Sequence, residues 1–323
     1  MSKPKVVITR RIPKAGLARV QEECDVRQWD SEEPIPRETL LEWVEGIDGL
    51  YCLLTEKIDD ELLDAAGDNL KVVSTMSVGY DHVDVEACLK RGVAVGNTPG
   101  VLTDTTADFA MTLLLTTARR VPESIDAIRA GEWTTWKPEW MAGQDLSGST
   151  VGIVGLGRIG ATVAHRLSGF DCRILYYDVA PIPAVADPLG AEFVDMDTLL
   201  KESDFITVHT QLNDSTYHMF DEEAFKKMKP TAIFVNTSRG GVVDQDALYN
   251  ALVNGDILAA GLDVTIPEPL PPDHPLMKLP NAVVAPHIAS ASVETRSKMS
   301  VIAAENLIAG VKGEALPAGV TEQ

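Results

Sequence analysis

The most specific chemistry in this sequence is written in glycines. Residues 151–160 read Val-Gly-Ile-Val-Gly-Leu-Gly-Arg-Ile-Gly. Gly155, Gly157 and Gly160 fall on a G-x-G-x-x-G pattern that follows an apolar run and opens a helical stretch. That context is what a dinucleotide fingerprint requires. Gly155 permits the tight turn, Gly157 lets a pyrophosphate approach the backbone, and Gly160 lets the helix pack on the strand. The amides of Arg158 and Ile159 then face the phosphates at the helix N-terminus. Asp178 ends the next β-rich run, 18 residues after Gly160. An acid near that distance accepts hydrogen bonds from the ribose hydroxyls and repels a 2′-phosphate. Val179, Ala180 and Pro181 supply no cation to hold such a phosphate. The sequence therefore predicts NAD(H) in preference to NADP(H).

Three further polar residues each stand just past a β-rich run: Arg239 after 232–236, Glu268 after 259–262, and His287 after 283–285. In an open α/β sheet, ligands bind outside the carboxyl ends of the strands. Taken singly, these are a surface arginine, a loop glutamate and a histidine at the edge of the core. Taken with the fingerprint, they form one set on the edge that carries the cofactor.

The elements that must position these residues alternate along the whole chain. Runs at 6–9, 49–53 and 72–75 are separated by helical segments near 14–23 and 59–66, and Asp84 can cap a helix that stops before Gly92. A long apolar helix begins among the capping residues near 102–106 and runs through Arg119-Arg120; a second follows Pro122. From Val151 a fresh series begins, with runs at 151–154, 173–177, 205–209, 232–236, 259–262 and 283–285. This predicts an α/β protein with two doubly wound parallel-sheet domains. One is a Rossmann NAD-binding domain over 102–290; the other is a smaller, flavodoxin-like substrate domain over 1–101. The last helical stretch, about 292–310, is expected to return to the first domain, so that 291–323 completes it. Residues 133–148 read as irregular and hold Trp133, Trp136 and Trp140. Tryptophan is enriched where surfaces are buried between chains.

Composition narrows the partners. With 48 acidic and 28 basic residues, the net charge is −20, which argues against nucleic acid or an anionic membrane. An anionic substrate would meet repulsion, so its attraction must be local, from an arginine or helix N-termini. The four cysteines, at 24, 52, 88 and 172, form no metal-like spacing, and no metal is expected. No apolar run approaches the roughly 20 residues of a membrane span. The opening Met-Ser-Lys-Pro-Lys leads straight into a β-like run with no signal-peptide pattern, so the cytoplasm is the expected location.

Taken together, the motifs resemble the D-isomer-specific 2-hydroxyacid dehydrogenases, and within them the glyoxylate/hydroxypyruvate reductases. The resemblance begins at Thr9-Arg10-Arg11-Ile12-Pro13. It includes 74–82 (Ser-Thr-Met-Ser-Val-Gly-Tyr-Asp-His), 102–107 (Leu-Thr-Asp-Thr-Thr-Ala), the fingerprint, 261–265 (Gly-Leu-Asp-Val-Thr), 267–271 (Pro-Glu-Pro-Leu-Pro) and 286–288 (Pro-His-Ile). The steps of 29 residues from Arg239 to Glu268 and 19 to His287 also match. The resemblance implies that His287 is the general acid, that Glu268 pairs with it and favours its charged form, and that Arg239 holds the substrate carboxylate and polarises the carbonyl. It implies that amides around Val78 and Gly79 complete the carboxylate cradle. Thr105, Thr210, Thr237 and Asp263 are implied cofactor contacts, Asp263 on the nicotinamide carboxamide. A homodimer built on an arm at about 105–150 is also implied, and Trp136 could then reach the partner's active site and limit the pocket to two- and three-carbon acids. One departure stands out: the animal reductases lack an acid at the position of Asp178 and carry a basic residue nearby. The competing readings are a dehydrogenase of another small 2-keto acid and a non-catalytic, NAD-sensing protein like the corepressors that resemble this family. A formate dehydrogenase-like reading is disfavoured, since that branch carries a glutamine where Glu268 stands.

Overall fold

A computed structural model describes residues 2–321. They divide into two compact units: residues up to Leu102 together with those from Ala291 onward, and Thr103–Ser290.

The first unit opens with β1 (Lys5–Ile8), α1 (Lys14–Glu23), β2 (Asp25–Gln28), α2 (Arg37–Trp43), β3 (Gly49–Cys52), α3 (Asp60–Ala66), β4 (Val72–Thr75), α4 (Val85–Lys90) and β5 (Ala94–Gly96). The second unit carries α5 (Thr103–Ala118), α6 (Val121–Arg129), β6 (Thr150–Val154), α7 (Arg158–Leu167), β7 (Arg173–Tyr177), α8 (Pro183–Ala186), β8 (Ala191–Phe193), α9 (Met196–Glu202), β9 (Phe205–Val208), α10 (Glu222–Lys227), β10 (Ile233–Asn236), α11 (Gln245–Asn254), β11 (Ala259–Leu262) and β12 (Ala282–Val284). The chain then re-enters the first unit through α12 (Val293–Lys312) and β13 (Gly319–Val320).

The first sheet has the order β13-β5-β4-β3-β1-β2. Its parallel strands run 2-1-3-4-5, the doubly wound order of flavodoxin-like domains. The second has the order β12-β11-β10-β9-β6-β7-β8. It reverses beside β6, the strand of the fingerprint, and that reversal makes the crevice in which such sheets bind dinucleotides. Strands β3, β4, β9, β10 and β11 are buried along their whole length, as parallel strands with both faces covered must be. That burial is why they read as continuous apolar runs. Side chains of Asp59, Asp84, Asp195, Asp221, Asp244 and Ser292 each accept a first-turn amide and so start α3, α4, α9, α10, α11 and α12.

The structure departs from the sequence expectation at the sheet edges. The first sheet is not wholly parallel, because β13 pairs antiparallel with β5. Four strands are not shown by pattern alone: β2, β8 and β13 lie at sheet edges, where one face meets solvent and no apolar run is needed, and β5, between β4 and β13, is only three residues long and ends in glycine.

Candidate active site

The fingerprint turn has the geometry its glycines demand. Gly155 has φ +91°, which L side chains rarely adopt, and a Cβ there would lie 2.9 Å from the His209 carbonyl carbon and the Thr210 nitrogen. A Cβ on Gly160 would lie 2.0 Å from the Gly155 oxygen. At Gly157 nothing comes within 4 Å of the Cβ position. Gly157 caps α7 with no side-chain hydrogen bond, so the amides of Arg158 and Ile159 stay available to an anion. Asp178 is tied to this turn: its carboxylate accepts from the Leu156 amide at 2.8 Å and the Val179 amide at 2.7 Å. The structure thus brings Gly155, Gly157, Arg158, Ile159, Gly160, Asp178 and Thr210 together, and their arrangement fits a dinucleotide.

His209 was not singled out in the sequence. Its Nε2 lies 2.9 Å from Thr207 Oγ1. Burial pushes its pKa down to about 3, so it stands neutral beside the fingerprint turn.

The ends of β10, β11 and β12 carry the second set. Beyond β10, the buried Asn236 folds the chain back on itself. Its Oδ1 accepts from the Ser238 amide at 2.9 Å and the Ser238 hydroxyl at 2.8 Å, and its Nδ2 donates to the Arg239 carbonyl at 2.9 Å. Arg239 Nη1 donates to the Ser238 carbonyl at 2.9 Å. Thr237, within this turn, has a buried hydroxyl with no hydrogen-bond partner.

Beyond β11, Asp263 is buried, and burial raises its pKa against the two amides it accepts. Those amides belong to Ile288 and Ala289, each at 2.8 Å, while the Asp263 carbonyl accepts from the His287 amide at 2.9 Å. Asp263 therefore shapes the turn that presents His287. That residue has φ 53°, a left-handed conformation that a side-chain-bearing residue keeps only when its surroundings hold it. Glu268 completes the set. Its Oε2 lies 2.8 Å from His287 Nδ1, and its Oε1 accepts from the Thr265 amide at 2.9 Å. Burial would raise its pKa, but the His287 hydrogen bond, that ring's charge, the Thr265 amide and the Arg239 charge together hold it below the usual carboxylate range. Glu268 is therefore an anion near neutral pH. An anion on Nδ1 orients the ring, leaving Nε2 to exchange a proton with a ligand.

In the first unit, Val78 and Gly79 form a half-buried loop held by neutral groups. Ser77 Oγ donates to the Gly79 carbonyl at 2.7 Å, and Asn97 Nδ2 donates to the Val78 carbonyl at 2.8 Å. Asn97 is itself held by Asn306 of α12, whose Nδ2 donates to the Asn97 carbonyl at 2.9 Å. Neither Asn97 nor Asn306 was singled out in the sequence, although an asparagine ending a β-run before Thr-Pro was a signal for Asn97. Among the described residues, no protein acceptor takes the amides of Val78 or Gly79.

Two further expected residues lie on α5 and in the irregular stretch after α6. Thr105 lies half-buried in the first turn of α5. Trp136 is 81% exposed and Trp133 62%, so neither is core of its own chain. Among the described residues, no His/Cys/Asp/Glu group could hold a metal ion, and no helix is long and apolar enough to cross a membrane.

The sheet order and the fingerprint turn fit a dinucleotide-binding domain, and sequence comparison gives its family. A sequence profile described as "D-isomer specific 2-hydroxyacid dehydrogenase, NAD binding domain" matches residues 111–289, and the chain belongs to that family. The human protein named glyoxylate reductase/hydroxypyruvate reductase is 54% identical over 97% of this chain and 96% of its own length. A crystal structure of a Thermus thermophilus protein superposes with TM-score 0.92 at 45% identity, covering 98% of this chain and all of that one. An NADPH-dependent glyoxylate/hydroxypyruvate reductase from Sinorhizobium meliloti superposes with TM-score 0.82 at 32% identity, covering 99% of this chain and 98% of that one.

Proposed function

We propose that this chain reduces glyoxylate and hydroxypyruvate to glycolate and D-glycerate with NADH, reversibly. The observation that carries the chemistry is the 2.8 Å contact between His287 Nδ1 and Glu268. The similarity to the human reductase supports the substrate. The nicotinamide supplies the hydride that arrives at C2. Arg239 grips the substrate carboxylate and polarises the carbonyl. His287 donates a proton from Nε2 to the carbonyl oxygen and takes it back in the reverse direction. The Val78 and Gly79 amides are donors suited to a carboxylate. Thr105, Thr210, Thr237 and Asp263 contact the cofactor, and Asp178 holds the ribose hydroxyls.

Asp178 sets the cofactor preference, since a carboxylate there repels a 2′-phosphate. The test is a panel of 2-keto acids assayed with both cofactors. The highest kcat/KM is expected for glyoxylate or hydroxypyruvate with NADH, and Asp178→Ala narrows the preference. A higher value with NADPH removes the cofactor reading, and a higher value for a bulky acid removes the substrate reading.

We place the enzyme in the cytoplasm, a reducing compartment suited to its four free thiols. The assembly we propose is a homodimer on the 105–150 arm. Its support is the exposure of Val121, Ile125 and Ile128 on α6 together with Trp133 and Trp136. In the dimer, Trp136 caps the partner's pocket. Trp136→Ala is expected to stay dimeric and to shift preference toward larger acids; unchanged assembly and substrate profile would remove that role.

A further inference from the structure

Glu268 rides on a loop that has left the sheet, so something must fix that loop to within the tolerance of a hydrogen bond. Part of the answer is internal: Thr265 Oγ1 donates to the Pro267 carbonyl at 2.9 Å, and the Thr265 amide meets Glu268 itself. Between them stands Ile266, whose backbone is satisfied from 21 residues away. Gln245 Oε1 accepts from the Ile266 amide at 3.0 Å, and Gln245 Nε2 donates to the Ile266 carbonyl at 2.6 Å. One side-chain amide thus meets both backbone groups of one residue, as a neighbouring strand would.

The clamp has a firm mount. Gln245 is the first residue of α11, whose start is capped by Asp244 and whose Ala247, Leu248, Ala251 and Leu252 are buried. The loop is backed from another side by the Arg239 turn, where a Cβ on Gly240 would lie 2.3 Å from the Thr265 oxygen. We infer that Gln245 is a positioning residue for Glu268: it pins Ile266 so that the carboxylate two residues on meets His287. An uncharged primary amide offers the donor and the acceptor side by side on one planar group. Asparagine falls a methylene short, and an ionised glutamate cannot donate.

The inference rests on the proposed role of Glu268, and the experiment separates the two. Gln245→Met keeps the length and removes both hydrogen bonds to Ile266, together with the longer 3.4 Å contact of Gln245 Nε2 with His274 Nε2; Gln245→Glu keeps the acceptor and removes the donor. Each is compared with Glu268→Gln and with the double variant Gln245→Met/Glu268→Gln, using kcat, KM for NADH, the pH profile of the reductive reaction and thermal melting. Gln245→Met is expected to lower kcat on the order of 10-fold, the scale of a sub-ångström misplacement. It should leave KM for NADH unchanged and move the pH limb in the same direction as Glu268→Gln. Gln245→Glu should fall between it and the wild type. In the Glu268→Gln background, Gln245→Met should add little, because the group it positions is already gone. A lowered melting temperature with unchanged kcat and pH limb makes Gln245 merely structural and overturns the inference, as do losses that multiply in the double variant. Wild-type kcat and pH profile in Glu268→Gln alone overturn the reading of Glu268 and the inference with it.

Discussion

Both sheets are doubly wound, yet their functional loops are built from different materials. The second unit ends its strands in ionisable side chains, Arg239, Asp263, Glu268 and His287, with Glu268 paired to His287 and both carboxylates held by backbone amides. The first unit ends β4 in a loop of backbone donors, with Ser77 and Asn97 occupying the carbonyls and leaving the Val78 and Gly79 amides. The difference matches the work proposed for each. Moving a proton needs a titratable side chain with a partner that sets its charge. Holding a carboxylate needs only N–H groups in a fixed place. In a chain of net charge −20, local backbone donors can hold an anion that the whole molecule repels.

If that division is right, damage to the charged loop should be large and should fall on kcat. His287→Gln is expected to lower kcat by roughly 10²–10⁴, the usual contribution of a positioned acid; a loss below about 10-fold breaks the assignment. Arg239→Lys should cost on the order of 10² in kcat/KM for the keto acid, since lysine cannot make the planar two-point contact; near-normal constants in that variant would falsify the role. Glu268→Gln should move the reductive pH limb to lower pH, because the charged imidazole loses the anion that favours it. A limb left in place sinks the pairing. Damage to the neutral loop should be smaller and should fall on KM. Asn97→Ala removes one hydrogen bond, worth about 1 kcal/mol, and should raise KM for the keto acid about fivefold with KM for NADH unchanged. A kcat effect as large as that of His287→Gln would erase the distinction between the two loops.

The same contrast decides what was legible in the sequence. The fingerprint was readable because its reasons are local: Gly155 needs its φ and Gly160 its closeness to the Gly155 carbonyl. The strands that carry Arg239 and Glu268 were readable because full burial writes them as apolar runs; β12, before His287, is a half-buried edge strand whose Ala-Val-Val is still an apolar run. That those three act as one set followed from family resemblance and strand-end logic, since their pairing joins loops 19 residues apart. Asn97, Asn236 and Gln245 were passed over because a hydrogen bond to a distant backbone leaves no pattern; an asparagine or glutamine at a loop or helix end has many ordinary explanations. The edge strands β2, β8 and β13 were missed for the opposite reason to the buried ones, having too little apolar surface to mark them.

The central claim is that a hydride reaches C2 of a small 2-keto acid while His287 delivers the proton. Its most direct test uses NADH carrying deuterium at both nicotinamide C4 positions, with glyoxylate as substrate and the product examined by mass spectrometry and proton NMR. The wild-type enzyme should yield glycolate with one deuterium at C2, and His287→Gln should yield the same product at least about 100-fold more slowly. Glycolate without deuterium, no turnover by the wild type, or equal rates in the two proteins would contradict the account.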